Sequence, residues 1–165
     1  MSMQAHAQRA HAGRTPIRPR RERHRVLRRE STILLVEDDD EMRSLLATAL
    51  RRDGHRVVEA KDGEEALDWL GLCLFDGSLE RIPSLIVSDI RLPNFTGIEL
   101  LEGLLCASEA IPTILITGFP DARIRADAEE LGAECVIEKP FDLDELRAAV
   151  RSAVHPGEET PDRSA

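Results

Sequence analysis

Short, continuously apolar runs that recur along the chain restrict its fold more than any other feature of the sequence. The clearest are TILLV at 32–36, LIVS at 85–88, TILIT at 113–117 and ECVIE at 134–138, with RVVEA at 56–60 as a fifth. A strand buried on both faces has this continuous pattern, whereas a strand with one side in solvent alternates between apolar and polar residues. The runs therefore predict five strands, most of them buried in the middle of a sheet.

Each of these strands is followed by a segment with helical spacing of its apolar residues. The first such segment covers 42–50 and is followed by Gly54, a common stop signal. The later segments predict four more helices, at 64–72, 98–106, 121–131 and 142–154. We expect Asp142 to cap the last helix and residues 74–83 to form a long connection.

Strand and helix thus alternate five times, which predicts an α/β fold of the (βα)5 kind. Such alternation gives a doubly wound parallel sheet with helices on both faces, in three layers, joined by right-handed crossovers. Ligands of open parallel sheets bind beyond the carboxyl ends of the strands. The residues that follow each strand are therefore the first place to look for a function.

The chain is predicted to hold one folded domain, at residues 31–155, between two flexible ends. Residues 1–30 contain nine Arg and two Glu, a charge of +7, whereas the whole chain of 165 residues carries −9, so the remainder carries −16. This N-terminal segment has few large apolar residues, and we interpret it as a disordered basic extension. A basic arm that contacts an acidic partner is the alternative. Residues 156–165 are interpreted as a flexible tail, and the acidic body argues against direct DNA binding by the folded domain.

Several features of the sequence favour the cytoplasm. No apolar run approaches the roughly 18–20 residues that cross a bilayer, and the N-terminus lacks the apolar stretch of a secretory signal. The cysteines, Cys73, Cys106 and Cys135, are odd in number, show no CxxC spacing and lie among apolar neighbours. We predict buried, reduced thiols rather than a disulfide or a metal site.

Acidic and basic side chains collect at the predicted carboxyl ends of the strands. Strand one ends in Glu37-Asp38-Asp39-Asp40, strand three in Asp89, strand four in Thr117 and strand five in Lys139. Carboxylates gathered within a few ångströms repel one another, and a divalent cation relieves the repulsion. Hard oxygen ligands in an incomplete cage suit Mg²⁺, and a carboxylate beside it can accept a phosphoryl group. The hydroxyl and the ammonium could then hold phosphoryl oxygens.

Each of these residues also has an ordinary structural interpretation. Asp39 and Asp40 lie where the first helix should start, so capping explains them without a metal. Asp89 could be a turn residue, Thr117 a residue of good strand propensity, and Lys139 a solvated lysine. The functional interpretation rests on their shared position at the ends of four different strands.

The same residues resemble the receiver domain of response regulators over about 32–154, essentially the whole folded part. The matching segments are ILLVEDDDEMR, LIVSDIRLPNFTGIELL, TILITG and VIEKPF, in this order along the chain. Each segment alone is weak, but the four together, each at its expected strand end, are specific. The resemblance implies a flavodoxin-like sheet with the strand order 2-1-3-4-5.

The resemblance also implies a role for each site residue. Asp89 would be the phosphoryl acceptor and a Mg²⁺ ligand, with Asp38 binding the ion directly, Glu37 mainly through water, and Arg91 through its backbone carbonyl. Thr117 would move to hydrogen-bond the phosphoryl group, and Lys139 would pair with it. The Lys139–Pro140 peptide bond would be cis, which is accessible for X–Pro bonds.

One residue departs from the family pattern. Receiver domains usually carry an aromatic residue or a histidine on strand five, three residues before the lysine, and this ring turns inward when the threonine moves. Val136 occupies that position here. A valine cannot act as a ring switch, so the departure puts signal relay through this side chain in doubt without affecting the acceptor chemistry.

We therefore expect a stand-alone response regulator rather than an enzyme, phosphorylated by a sensor histidine kinase or a phosphotransfer protein. Because only eleven residues follow Val154, output is expected through contact with a downstream protein, through homodimerisation, or through onward transfer of the phosphoryl group. Two alternatives stay open: a pseudo-receiver that is never phosphorylated, with Val136 as its support, and a Mg²⁺-dependent phosphohydrolase of the haloacid-dehalogenase type.

Overall fold

A computed structural model describes residues 31–75, 82–106, 111–119 and 121–155, with five strands and five helices in alternation. The predictions for residues 1–30 and 156–165 lie outside the described residues. The strands are β1 (Thr32–Val36), β2 (Arg56–Ala60), β3 (Leu85–Asp89), β4 (Thr113–Thr117) and β5 (Cys135–Glu138). The helices are α1 (Asp40–Arg52), α2 (Gly63–Phe75), α3 (Gly97–Cys106), α4 (Ala122–Glu130) and α5 (Leu143–Val154).

The five strands form one parallel sheet in the order β2-β1-β3-β4-β5, which confirms the predicted fold and strand order. β1, β3 and β4 are buried along their whole length, as their continuous apolar runs predict. Within β1, Ile33 and Leu35 pack in one apolar cluster while Leu34 and Val36 pack in another. Successive side chains of a strand point to opposite faces, so the two clusters lie on the two sides of the sheet.

The helices cover both faces of the sheet and complete the three predicted layers. Leu46 of α1 and Leu146 of α5 are fully buried in the first cluster. Ala66 of α2 and Leu100 of α3 pack in the second cluster, and Ala128 of α4 packs with residues of α3 and β4 in a third. Removing a fully buried leucine from such a core typically costs about 2–5 kcal/mol of stability.

One local prediction about the helices was wrong, and another was confirmed only in the position of the residue. α2 continues to Phe75, so the predicted connection at 74–83 begins too early. Asp142 stands at the N-cap of α5, but its side chain makes no capping hydrogen bond, and its backbone carbonyl accepts from the amide of Glu145 at 3.0 Å instead. The prediction that an acidic residue starts α1 is confirmed, because the Asp39 carboxylate accepts from the amide of Met42 at 2.8 Å.

The two cysteines whose side chains are described differ in burial. Cys73 is buried, as predicted, whereas Cys135 at the start of β5 is only half-buried, and the side chain of Cys106 lies outside the described set. Burial raises the pKa of the Cys135 thiol, which keeps it protonated at neutral pH. In the described ranges, no helix has both the length and the apolar composition needed to cross a bilayer.

Candidate functional site

The register of the parallel sheet brings the ends of four strands to one edge. Val36 pairs with Ser88, Asp89 pairs with Ile116, and Thr117 pairs with Glu138. The residues that follow these pairs therefore leave the sheet side by side. A further backbone hydrogen bond, from the amide of Lys139 to the carbonyl of Thr117 at 2.7 Å, extends this alignment past the end of β5.

Lys139 lies between two buried carboxylates at this edge. Its ammonium donates to Oε2 of Glu37 at 2.8 Å and also hydrogen-bonds Oδ2 of Asp89. The side chain of Glu37 is 1% exposed and that of Asp89 is 8% exposed. Buried carboxylates need such partners, because an unpaired buried charge is strongly destabilising. Lys139 is therefore a constituent of the site and not a solvated surface lysine.

Burial and neighbouring charges shift the pKa values of Glu37 and Lys139. Burial raises the pKa of Glu37 and the nearby charge of Asp89 adds to this, although the hydrogen bond from Lys139 opposes both. Burial also acts to lower the pKa of Lys139, but its hydrogen bonds to Asp89 and Glu37 outweigh burial and raise it. The ammonium is thus held charged, while Glu37 ionises less readily than usual.

A third carboxylate, Asp38, completes a candidate cation site. One oxygen each from Glu37, Asp38 and Asp89 can be chosen so that all three lie within 4.8 Å of one another. Asp38 is exposed, whereas the other two are buried, so the cluster opens towards solvent on one side. Three hard oxygen donors with an open side fit Mg²⁺, which keeps several waters and takes phosphate oxygens as further ligands.

The backbone around Asp89 is fixed by several close contacts. The amide of Arg91 donates to Oδ1 of Asp89 at 2.7 Å, and the hydroxyl of Ser88 donates to the carbonyl of Asp89 at 2.9 Å. Gly97, the first residue of α3, packs so closely that an added Cβ would lie 2.5 Å from that carbonyl oxygen. The amide of Gly97 also donates to the carbonyl of Ile90 at 3.0 Å. Nothing in the sequence pattern indicates this contact between Gly97 and Asp89.

Thr117 lies at the end of β4 and currently hydrogen-bonds the loop that follows it. Its hydroxyl accepts from the amide of Phe119 at 3.1 Å and lies 3.3 Å from the carbonyl of the same residue. The guanidinium of Arg91 stacks over the Phe119 ring, 3.7 Å from its centroid. No role was predicted from the sequence for the Phe119 ring or for the Arg91 guanidinium. Arg91 stands two residues after the end of β3 and Phe119 two residues after the end of β4. This shared spacing could have suggested the contact.

Two further expectations concern β5. The Lys139–Pro140 peptide bond is cis, as predicted. Val136 is half-buried and packs against the apolar cluster that contains Leu115 and Ala128. A small aliphatic side chain therefore fills the position at which receiver domains usually carry a ring.

Comparison with known proteins decides the family. The family described as response regulator receiver domain matches residues 33–151. This range is most of the chain, and it contains all five strands except the first residue of β1. This chain belongs to the response regulator receiver family. Receiver domains serve two-component signalling and are phosphoproteins, not enzymes beyond their own phosphorylation, which leaves the phosphohydrolase alternative without support.

Individual relatives and solved structures agree with this membership. Sporulation initiation phosphotransferase F of Bacillus subtilis (strain 168) is 34% identical over 119 residues, which are 72% of this chain and 90% of that protein. The transcriptional regulatory protein CpxR of Escherichia coli (strain K12) is 38% identical over 120 residues, 73% of this chain and 47% of that protein. The crystal structure of FixJ-N superposes with a TM-score of 0.65 at 30% identity, covering 75% of this chain and 93% of that one.

A second solved structure, the non-phosphorylated receiver domain of HemR from Leptospira biflexa, gives a TM-score of 0.66 at 30% identity. It covers 81% of this chain and 99% of that one. The chain spans about half the length of most of the transcriptional regulators it matches. The similarity therefore concerns the receiver domain alone.

Proposed function

We propose that Asp89 accepts a phosphoryl group, with Mg²⁺, from a sensor histidine kinase or a phosphotransfer protein. The observation that carries the proposal is the position of the Asp89 carboxylate. One of its oxygens hydrogen-bonds the Lys139 ammonium and the other accepts from the amide of Arg91. One Asp89 oxygen also lies within 4.8 Å of a carboxylate oxygen of Glu37 and of Asp38. Membership of the receiver family supports the same assignment.

In the transfer, a carboxylate oxygen of Asp89 forms a bond to phosphorus while the bond from phosphorus to the donor's imidazole nitrogen breaks. The product is an acyl phosphate. Glu37, Asp38, Asp89 and the backbone carbonyl of Arg91 would hold Mg²⁺, which supplies charge neutralisation for the incoming phosphoryl oxygens. Lys139 keeps its charge because its pKa is raised, so its ammonium can bind a phosphoryl oxygen.

Thr117 links phosphorylation to a change of shape. Its hydroxyl is now bonded to the backbone of Phe119. If the hydroxyl turns towards a phosphoryl oxygen, those bonds must be exchanged, and the loop between β4 and α4 must move with it. Because Val136 has no ring, we assign the signal to the displacement of this loop and not to a side chain of β5.

We infer that the altered surface is recognised by another protein or that the phosphoryl group is passed onward. The extensive match to a relative named as a phosphotransferase supports onward transfer. Homodimerisation is the alternative output. The excess of acidic residues outside the N-terminal segment argues against direct contact of the folded domain with DNA. The free thiol of Cys135 agrees with a cytoplasmic location.

Intact mass spectrometry after incubation with acetyl phosphate tests the proposal without knowledge of the kinase. We expect one phosphoryl adduct that appears with Mg²⁺, disappears with a chelator and is absent from Asp89→Asn protein. Asp39→Asn is the matched control, because it removes one carboxylate next to the site while asparagine caps a helix as well as aspartate does. A wild-type protein that forms no adduct under any of these conditions would favour the pseudo-receiver alternative.

A further inference from the structure

We propose that Arg43 is a positioning residue for the Mg²⁺ site: its guanidinium fixes the backbone at Glu37 and so places the acidic pair Glu37 and Asp38. The inference rests on the proposed function, because it concerns the cation that phosphorylation would require. It assigns a role to an arginine of α1 that does not itself offer a ligand to the cation.

The contacts of Arg43 connect three parts of the fold. Nη1 donates to the backbone carbonyl of Glu37 at 2.8 Å, and Nη2 pairs with the carboxylate of Asp40 in the first turn of α1. Nε lies 3.7 Å from Oε2 of Glu59 on β2. The Arg43 side chain is only 16% exposed, so the guanidinium is held largely out of solvent. A planar guanidinium with several fixed donors suits such a junction better than an ammonium does.

The peptide backbone at Glu37 is thereby held from both sides. Its amide donates to the carbonyl of Ala60 at the end of β2, at 3.1 Å, and its carbonyl accepts from Arg43. The next residue is Asp38, and Asp39 after it caps α1. Arg43 thus fixes the peptide group that joins the buried carboxylate to the exposed one. Partners that orient metal-binding groups in this way contribute to affinity although they do not touch the ion.

A purely electrostatic role for Arg43 predicts the opposite effect of its removal. A positive charge near three carboxylates repels Mg²⁺, so its loss alone would tighten cation binding. Loss of the bond to the Glu37 carbonyl would loosen the acidic pair and weaken binding. The direction of the change in Kd therefore separates positioning from charge balance.

Arg51 offers a matched control on the same helix. Its guanidinium pairs with Oε1 of Glu59 at 2.8 Å and donates to the carbonyl of Val57 at 3.0 Å, but it makes none of the contacts with Glu37. Arg51→Gln and Arg43→Gln remove the same charge from the same helix, and both remove a partner of Glu59. Only Arg43→Gln releases the Glu37 carbonyl.

Isothermal titration calorimetry of Mg²⁺ into the full chain measures the Kd of each protein. We expect Arg43→Gln to weaken binding about tenfold, the lower end of what lost supporting contacts cost, and Arg51→Gln to bind as wild type or slightly more tightly. In metal-free protein, the amide resonance of Asp38 is expected to shift in Arg43→Gln and not in Arg51→Gln. With acetyl phosphate, the rate for Arg43→Gln should approach that of wild type at saturating Mg²⁺, because affinity and not chemistry is impaired.

Arg43→Lys serves if Arg43→Gln does not fold, because it keeps the charge and one donor. We expect its Kd to lie between those of wild type and Arg43→Gln, or above wild type if the glutamine variant cannot be measured. Mg²⁺ binding by the Arg43 variants that is equal to or tighter than that of wild type overturns the inference while leaving the proposed function intact. A wild-type protein that does not bind Mg²⁺ overturns both.

Discussion

The close packing of Gly97 against the backbone of Asp89 can be tested by adding a single methyl group. In Gly97→Ala, the new Cβ would lie 2.5 Å from the carbonyl oxygen of Asp89 and 3.1 Å from Oγ of Ser88. The first of these is a backbone atom at the end of a buried strand, so it cannot turn away as a flexible side chain could. Either the start of α3 or the backbone of Asp89 must move.

The expected cost follows from this overlap. Inserting a methyl group into a well-packed region typically costs about 1–3 kcal/mol, and contact with backbone places this case towards the upper end. In the same helix, an alanine at Gly103 would meet nothing within 4 Å. Gly103→Ala should therefore gain the helix propensity of alanine, up to about 1 kcal/mol. The two substitutions are chemically identical and should change stability in opposite directions.

Urea denaturation of both variants measures the difference in stability, and the initial rate of phosphorylation by acetyl phosphate measures the effect on the acceptor. Displacing a reacting group by about 1 Å can cost roughly a hundredfold in rate. We expect Gly97→Ala to react at least about tenfold more slowly than Gly103→Ala at saturating Mg²⁺. If the two variants are equally stable and equally reactive, the close packing of α3 against Asp89 does not hold the acceptor in place.

Two further substitutions probe the charged groups of the fold. Lys139→Gln leaves two buried carboxylates without their shared ammonium. We therefore expect the stability of the metal-free protein to fall by about 2 kcal/mol and the stabilisation by added Mg²⁺ to grow. Lys61→Gln, at the chain's other lysine, should change neither quantity. Hydrogen bonding to Arg147 lowers the pKa of Asp53 in the folded protein below its ordinary value of 3.8. The pair therefore stabilises the fold above pH 3.8, and this stabilisation is lost as the pH falls through the lowered pKa of the folded state. Thermal denaturation of Arg147→Gln should show a deficit against wild type at pH 7 that shrinks below pH 3.8, and a deficit independent of pH would contradict this.

The strands could be predicted from sequence because burial on both faces leaves a continuous apolar run. TILLV, LIVS and TILIT all form strands where expected. The runs of β2 and β5 contain charged residues and are less buried, which fits their place at the edges of the sheet. The runs do not show how β1, β3 and β4 are ordered between these edges, because all three are apolar and fully buried. The order came from the family resemblance. Long-range pairing is a property of the whole fold and leaves no local signal.

The misplaced end of α2 has a local cause. The apolar pattern was taken to end at Leu72, whose side chain is 72% exposed and so does not follow the buried face of the helix. The chain nevertheless has no glycine or proline between Gly71 and Gly77, and the helix continues to Phe75. Gly71 lies within the helix, so neither a single glycine nor the apolar period marks the end of α2.

The acidic cluster and the lysine could be located from sequence because residues at the carboxyl ends of parallel strands meet at one edge. The contacts that hold these side chains in place could not be located from sequence. The contact of Arg43 with the Glu37 carbonyl and the approach of Gly97 to Asp89 depend on how α1 and α3 pack against the sheet. Such contacts involve backbone atoms, which have no residue-specific signature in a sequence. The reactive side chains of a site are therefore easier to predict from sequence than the contacts that hold them in place.

Locating the phosphoryl group within the chain tests whether Asp89 is the acceptor. Borohydride reduces an acyl phosphate of aspartate to homoserine but leaves free carboxylates unchanged, so peptide mass spectrometry after acetyl phosphate, Mg²⁺ and borohydride identifies the modified residue. We expect homoserine at position 89 and unmodified carboxylates at Glu37 and Asp38. A carboxyl group reduced to an alcohol at any other acidic residue, with Asp89 intact, would show that Asp89 is not the acceptor.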